Sequence, residues 1–509
     1  MAYSFPRPLR GLKPVSSQAT SMLALALASV LVLAGCASSR GLAPEGQLLD
    51  ADSLQTQRSL SDATVSAAGF PTQDWWTSLG DAQLNSLIDE ALQGTPSLAA
   101  ADARVRQAVA QAGLADAARK PTLSGSAQYV GVQLPETLAA PPLGGSYTDI
   151  VMLGVTFKYT FDLWGGEKAK WLAAVGQTHA AEIEAQAARL TLSSNIARTY
   201  VGLAQAFDAN DVAKADFQRA SGLLDLGRQR VAAGLDNQLQ IHNAESSVAS
   251  AQQQIQASEH EIEVTRNALA ALLGKGPDRG RDIARPTILQ ASTPTVPSVL
   301  PSELLGRRPD VVAARWRVEA AQHGIKASKA AFYPSINLTA LPALAVGAGD
   351  LGDIFSGDAL QLLGGAAINL PIFDGGRLRN NLASSDATYD LAVANYNQSL
   401  IASLREVADA VHSARSFDAQ IASATQARDA AQAAWNIATQ RYKAGLGTQL
   451  DVLAAQRPLL DSDRQLTVLR AQRLAASIDL DRALGGGLVL TSPDLNATSE
   501  SDIAKASTP

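Results

Sequence analysis

Three landmarks recur in this chain at nearly one offset, and that internal repeat limits its fold more than any other feature. Gly165-Gly166 in FDLWGGEKAK matches Gly375-Gly376 in FDGGRLRN (375 − 165 = 210). RVAAGL around Gly234 matches RYKAGL around Gly445 (445 − 234 = 211), and Leu273-Gly274 matches Leu484-Gly485 at the same 211. Pro121 and Pro334 differ by 213, so the matched landmarks span most of each copy with only small insertions or deletions. Duplication of one unit is the simplest explanation. The copies run over 75–274 and 302–487, joined by a linker over 275–301 and flanked by a leader over 36–74 and a polar tail over 488–509.

Within each copy the hydrophobic period changes from helical to strand-like and back. Leu84, Leu87, Ile88, Ala91 and Leu92 share one helical face, and that helix ends before Pro121. From Thr122 the period becomes two. Val151, Leu153, Val155, Phe157, Tyr159 and Phe161 then alternate with Met152, Gly154, Thr156, Lys158, Thr160 and Asp162. Hairpins are predicted over 121–162 and 334–373, the second with Ile336 and Leu338 in one strand and Ile368, Leu370 and Ile372 in the other. After each hairpin comes a proline-free stretch, Gly165 to Gly234 and Gly375 to Gly445, long enough for a helix of roughly 100 Å at 1.5 Å per residue. Tyr389, Val393, Tyr396, Leu400, Leu404, Val407 and Val411 are spaced 4, 3, 4, 4, 3, 4, a seam that asks for a neighbouring helix along its length. Apolar content of 46% with only 5% aromatics suits such packed helices.

The N-terminus adds a compartment. Arg7, Arg10 and Lys13 precede the apolar run Met22 to Ala34, which fits a secretory signal over 1–35 and is too short to span a bilayer. It ends in Leu33-Ala34-Gly35-Cys36, which resembles a bacterial lipobox, with Cys36 as the lipidated first residue of the mature chain. Acyl chains on this sole cysteine anchor a chain that has no later stretch of eighteen apolar residues, so any spanning structure must be β. Loss of the signal takes the net charge to about −6 − 3 = −9, which disfavours a nucleic-acid partner. Four strands cannot span a bilayer with open edges, so a membrane reading requires an oligomer. Two copies of the chain give a filled eight-stranded barrel, three give twelve strands and a lumen. The other reading of the alternation is a small soluble sheet capping a helical rod.

DWWTSLGDAQLNSLIDEAL, LPSELLGRRPDVVAARWRVEAA and INLPIFDGGRLR resemble the TolC-like outer membrane factor family, specifically its lipid-anchored branch, over roughly Trp75 to Gly487. The resemblance implies a mainly α protomer with a membrane β-barrel portion. It implies a homotrimer with a 12-strand barrel and a 12-helix tube in the periplasm, serving as the outer-membrane exit channel of a tripartite efflux pump for small toxic compounds or drugs. It implies a periplasmic adaptor protein and an inner-membrane efflux transporter as partners. Adaptor contact is expected at the turns holding Gly234, Leu235, Gly445, Leu446 and Gly447, and a closed entrance at Arg441, Tyr442 and Leu450. Bulky rings there are expected to obstruct water and ions. Lipoprotein relatives often carry a carboxylate one turn beyond that leucine, where this chain has Ala454, so Asp451 and Asp236 are the candidate acidic gate residues, the other reading of each being a solvated helix-start cap.

Other chemistry finds little footing. His179, His242, His260, His323 and His412 lie singly on predicted helices, and His260-Glu261 lacks the second histidine of a zinc helix because Val264 stands there. GKGPDRGR, Gly274 to Arg281, lacks the P-loop order and reads as linker, while Arg307, Arg308 and Asp310 read as helix-start chemistry. No enzyme activity and no cofactor beyond the covalent lipid are expected. The competing function is a non-conducting structural lipoprotein that spaces the envelope through coiled coils.

Overall fold

The computed structural model describes residues 38–54, 65–66, 70–133, 135–138, 145–287, 296–297, 304–347 and 352–488. The signal segment, Cys36 and the tail beyond Leu488 lie outside the described residues. The chain divides into two compact units. One comprises Ala110–Gly176 and Val318–Ala392 with the leader up to Gly46; the other comprises Gln177–Arg317, the chain from Val393 onward and Gln47–Val109. In chain order the main elements are α1 (Ala82–Gly94), α2 (Pro96–Ala117), β1 (Thr122–Gln133), β2 (Tyr147–Phe161), α3 (Gly166–Ala232) and α4 (Gln238–Leu272). They continue with α5 (Pro309–Ala330), β3 (Ser335–Gly347), β4 (Leu360–Asn369), α6 (Arg377–Lys443) and α7 (Gln449–Ala483).

The repeat appears as matched lengths. α2 and α5 hold 22 residues each, α3 and α6 hold 67, and α4 and α7 hold 35. No proline interrupts α3 or α6, so each runs about 100 Å. One correction concerns a helix break. The helical pattern expected over Asp81 to Ala118 is divided at Thr95, because Pro96 cannot donate to the preceding turn and instead opens α2. α7 carries Pro458 in its interior, which deprives the Ala454 carbonyl of its usual donor.

In the first unit β1 to β4 form one antiparallel sheet in chain order, so β1 and β4 are open edges. The register places Thr122 opposite Lys158, Phe161 opposite Ile336 and Ser335 opposite Asn369, which brings every helix–strand junction to the same end of the sheet. The pairing puts Leu123, Val155, Phe157, Ile336, Leu362 and Ile368 on one face. Leu123, Leu362 and Ile368 are 72%, 79% and 72% exposed. The other face carries Ser124, Ser126, Gln128, Thr156 and Lys158, with Thr160 donating to Asn337 Oδ1 at 2.8 Å. Pro342 sits in the inner strand β3, and the β2–β3 pairing skips Val155 and Thr156 opposite it, since proline has no N–H to give. β4 corrects the sequence reading, which took Ile368, Leu370 and Ile372 for the strand: the strand runs Leu360–Asn369 and stops two residues before Pro371. Gly364-Gly365-Ala366-Ala367 has no alternation by which to find it.

Each strand-to-helix turn uses the same aspartate. Asp162 accepts from Glu167 N and Lys168 N at 3.1 and 2.7 Å, and Asp374 accepts from Gly376 N and Leu378 N at 3.0 and 2.8 Å. The described start of the leader is tied to α6. Arg379 Nη1 donates to the Ser38 and Arg40 carbonyls, and Glu45 N and Gly46 N donate to Asp390 on α6.

The second unit holds the larger core. Trp75 and Trp76 pack edge to face, and with Leu84, Leu87 and Ile88 they bury against Ile196, Tyr200 and Leu203 of α3 and Leu269 of α4. Each fully buried leucine or isoleucine contributes about 2 kcal/mol. Asp81 caps α1 through Leu84 N and also accepts from Tyr200 Oη, Thr287 N and Thr287 Oγ1. Burial pushes its pKa up, but these hydrogen bonds outweigh that and hold it below the ordinary value. The start of the predicted linker is packed rather than free: Arg279 reaches Glu90, Gly280 lies against the Arg266 carbonyl with no room for a Cβ, and Arg285 pairs with Asp208 and Asp211. Val393, Tyr396, Leu400, Val407 and Val411 of the α6 seam are buried. No described helix is long and apolar enough to cross a membrane.

Candidate functional site

The two helix reversals are built alike. α3 ends with Gly234 N donating to Val231 O at 3.0 Å and Leu235 N to Arg230 O at 2.9 Å. α6 ends with Gly445 N donating to Tyr442 O at 3.1 Å and Leu446 N to Arg441 O at 2.8 Å. This closure needs a left-handed residue, and Gly234 and Gly445 supply it at φ 72° and 77°. Each following helix opens on a capping box, Asn237 with Gln240 and Thr448 with Asp451.

The turns then diverge at five positions over 230–240, and two of these build the site. With an offset of 211, Asp236 aligns with Gly447 and Val231 with Tyr442. Both divergent polar residues meet at Arg230. Its Nε donates to Asp236 Oδ2 at 2.7 Å, its Nη1 donates to the Tyr442 carbonyl at 3.0 Å, and its guanidinium lies 4.6 Å from the Tyr442 ring centre. Tyr442 Oη donates to the same Asp236 Oδ2 at 2.7 Å. Gln449 Nε2 adds a bond to the Gln240 carbonyl at 2.9 Å. The first copy's reversal is thus fastened to the second's by a charged, nearly enclosed cluster.

Burial pushes the Asp236 carboxyl up, yet the hydrogen bonds from Arg230 and Tyr442 together prevail and hold it below its ordinary value. Tyr442 is pushed up to about 12, first by burial and then by its bond to the Asp236 carboxylate, with Arg230 opposing. Across neutral pH the cluster therefore holds an anion, a cation and a neutral phenol.

The sequence-predicted residues fall into three groups. Asp236 and Tyr442 join the cluster, but not as a free acid and a blocking ring. The Tyr442 ring is 0% exposed, packed with Leu223 and Val452, because a ring at this seam position is buried by the neighbouring helices. Asp451 is exposed, and its Oδ2 accepts from Thr448 N and Oγ1 at 2.8 and 2.9 Å; the backbone bond from Thr448 leads the effects that lower its pKa. Arg441 donates to the Leu446 carbonyl of its own turn. Leu235, Leu446 and Leu450 are exposed, as is Leu239, which matches Leu450 at 211, so each reversal presents two bare leucines. Gly447 abuts Arg441 and Asp451, and Ala454 is exposed.

Sequence reasoning missed Arg230 and Arg308. The 211 offset from Arg441 marks Arg230 as its counterpart, a signal present in the repeat. Arg308 is a buried hub rather than helix-start chemistry alone, with bonds to Asp310, Glu406 and the Ala483 carbonyl, partners up to 175 residues away. His179 and His242 each meet a glutamate one turn on, Glu182 and Glu245. Among the described residues no group of three or more His, Cys, Asp or Glu is placed to hold a metal ion.

The family profile described as Outer membrane efflux protein matches residues 87–275 and 300–486. Fusaric acid resistance protein FusA of Burkholderia cepacia is 38% identical over 72% of this chain and 69% of its own length. Multidrug resistance outer membrane protein MdtP of Escherichia coli (strain K12) is 30% identical over 92% of this chain and 96% of its own. The crystal structure of the outer membrane protein VceC from Vibrio cholerae aligns with a TM-score of 0.76 at 38% identity, covering 82% of this chain and all of that one.

Proposed function

Because the chain belongs to the outer membrane efflux protein family, we propose that it is the exit duct of a tripartite efflux assembly, closed at rest by the Arg230–Asp236–Tyr442 fastening. Outer-membrane efflux is the family's work, and the finer reading is mechanical. One observation carries it: a four-stranded sheet with one exposed apolar face, one polar face and two open edges. Water disfavours such an apolar face, and lipid disfavours open edges. The exposure of that apolar face argues against a soluble cap on a rod.

Strand directions alternate through β1, β2, β3 and β4, so β4 of one protomer meets β1 of the next antiparallel. Three protomers give twelve strands with the polar face inward, a lumen wide enough for small toxic compounds. The four long helices α3, α4, α6 and α7 of each protomer give a twelve-helix tube. The bare leucines at 235, 239, 446 and 450 supply an apolar surface for a periplasmic adaptor, through which an inner-membrane transporter delivers its load.

Lipidation of Cys36 fits the leader. Ser38, the first described residue, is tied to Arg379 at the first turn of α6.

Single-channel conductance of the purified protein in lipid bilayers tests the reading, with Asp236→Ala beside the natural chain. Trimers that conduct in steps, more often open in the variant, are expected. Silence in both forms together with monomers on native gels would sink the channel.

A further inference from the structure

We propose that the junction end of the sheet is a docking collar for anionic phospholipid in the periplasmic leaflet of the outer membrane. The inference rests on the reading of the sheet as membrane-spanning. The register gathers four strand ends, Thr122, Phe161, Ser335 and Asn369, at one end of the sheet. Each adjoins a pair of cations: Arg119 and Lys120, Lys168 and Lys170, Lys326 and Lys329, Arg377 and Arg379. The ten residues beyond each strand end hold these eight cations and four carboxylates, a net of +4 in a chain whose total is −6. At the other end of the sheet the corresponding ten-residue flanks hold Glu136, Asp350, Asp353 and Asp358 and not one lysine or arginine. The charge is therefore sorted along the strands rather than spread over the chain.

The four carboxylates at the basic end are already engaged. Asp162 and Asp374 cap α3 and α6, Asp116 pairs with Arg119 and Lys120, and Glu167 pairs with Lys170. Lys168, Lys326 and Arg377 are exposed. Between the cations and the apolar strands lies an aromatic layer. Trp164 stacks on Tyr333 at 4.7 Å and donates to the Pro334 carbonyl, and Trp164, Tyr333 and Phe373 are all exposed. Amphipathic rings next to an apolar band mark the membrane–water boundary, and cations just beyond it face the phosphates. Each Lys or Arg near an anionic surface favours association by about fivefold, an attraction that falls off within a Debye length. Phosphatidylglycerol, with a negative headgroup, fits this collar better than zwitterionic phosphatidylethanolamine.

Of the six tryptophans in the chain, Trp164 stands exposed in this layer, and the quenching lost in Trp164→Phe is the part that reports the collar. The full-length protein is reconstituted in phosphatidylethanolamine bilayers, and its tryptophan fluorescence is titrated with brominated phosphatidylglycerol or brominated phosphatidylethanolamine. A several-fold preference for phosphatidylglycerol is expected in the natural chain. It should fall toward unity in the triple variant Lys168→Gln, Lys326→Gln, Arg377→Gln and at high salt. The charge-keeping variant Lys168→Arg, Lys326→Arg, Arg377→Lys should retain it, which separates charge from folding. Equal quenching by the two lipids in the natural chain, or an unchanged preference in the glutamine variant, overturns the collar. Quenching by neither lipid overturns the membrane reading itself, a result distinct from equal quenching by both.

Discussion

Replacing Tyr442 by phenylalanine removes one oxygen from the fastening and leaves the buried ring in its pocket. The lost bond, 2.7 Å from Tyr442 Oη to a charged oxygen of Asp236, belongs to the class that contributes about 1.5–3 kcal/mol. Asp236 keeps Arg230 at 2.7 Å, so its charge is not abandoned and the lower half of that range applies. At 1.4 kcal/mol per tenfold, the closed state of each protomer weakens by roughly tenfold relative to an open one. Arg230→Ala removes the ion pair, the bond to the Tyr442 carbonyl and the contact with the ring together, and should open the channel further. Single-channel recording at neutral pH reads the effect as open probability, with native gels confirming the assembly. The pH response is a second reading. Asp236 titrates below the ordinary carboxylate range, so its contribution is lost only as pH falls through that lowered value. Tyr442 is held near 12, so its contribution is lost only as pH rises through that value. Open probability should therefore stay flat from about pH 5 to 10. Folded variants that open no more often than the natural chain would refute the fastening as the closure.

Three further outcomes follow from single residues. Cys36→Ser should abolish labelling by radioactive palmitate, and persistence of label would place the acyl chain elsewhere. Gly445→Val puts a β-branched residue at φ 77°, at a cost of about 1–3 kcal/mol, and should lower the melting temperature; an unchanged melting point would mean the turn tolerates another closure. Asp481 is raised to about 7 by burial alone, so the stability it contributes is present below its unfolded value and lost as pH rises through 7, up to about 4 kcal/mol. Asp481→Asn should flatten the loss of thermal stability between pH 5 and 8, and an identical slope in the variant would assign that loss to other groups.

What the residues declare locally is what sequence reading recovers. A proline-free interval between two glycines has one economical structure, and α3 and α6 adopt it. Period-two alternation over Tyr147–Phe161 marked β2, whereas the glycines and alanines of β4 left nothing to alternate, and that strand is held by its register with β3. Partners distant in sequence were invisible. Arg308 looked like helix-start chemistry because nothing nearby announces Glu406 or the Ala483 carbonyl, and Tyr442 looked like a plug because exposure is not written in a tyrosine. Asp386 is the plainest case. It sits one turn before Tyr389 on the buried seam of α6, only 6% exposed, with no hydrogen bond to either carboxylate oxygen. Burial drives its pKa up, since an unpaired anion there would be costly.

The duplication also explains why the fastening takes the form it does. In the proposed trimer the reversals would alternate, first copy then second copy, giving contacts of two kinds: within a protomer and between neighbours. Two identical copies would make the same contact in both, and a closure built from identical halves would need all six contacts broken to open. Asp236 against Gly447 and Tyr442 against Val231 give the two reversals of one protomer a charged cluster that identical copies would lack. The conserved parts of the turn, Gly234 with Gly445 and Arg230 with Arg441, keep both reversals geometrically alike. Arg441 shows what the arginine does where the acid and the phenol are missing: it turns back to the Leu446 carbonyl of its own loop. The cluster thus gives each protomer a charged fastening between its own two reversals. The exposed leucines at 235, 239, 446 and 450 stand outside that cluster, so the adaptor contact proposed for them does not require breaking its ion pair.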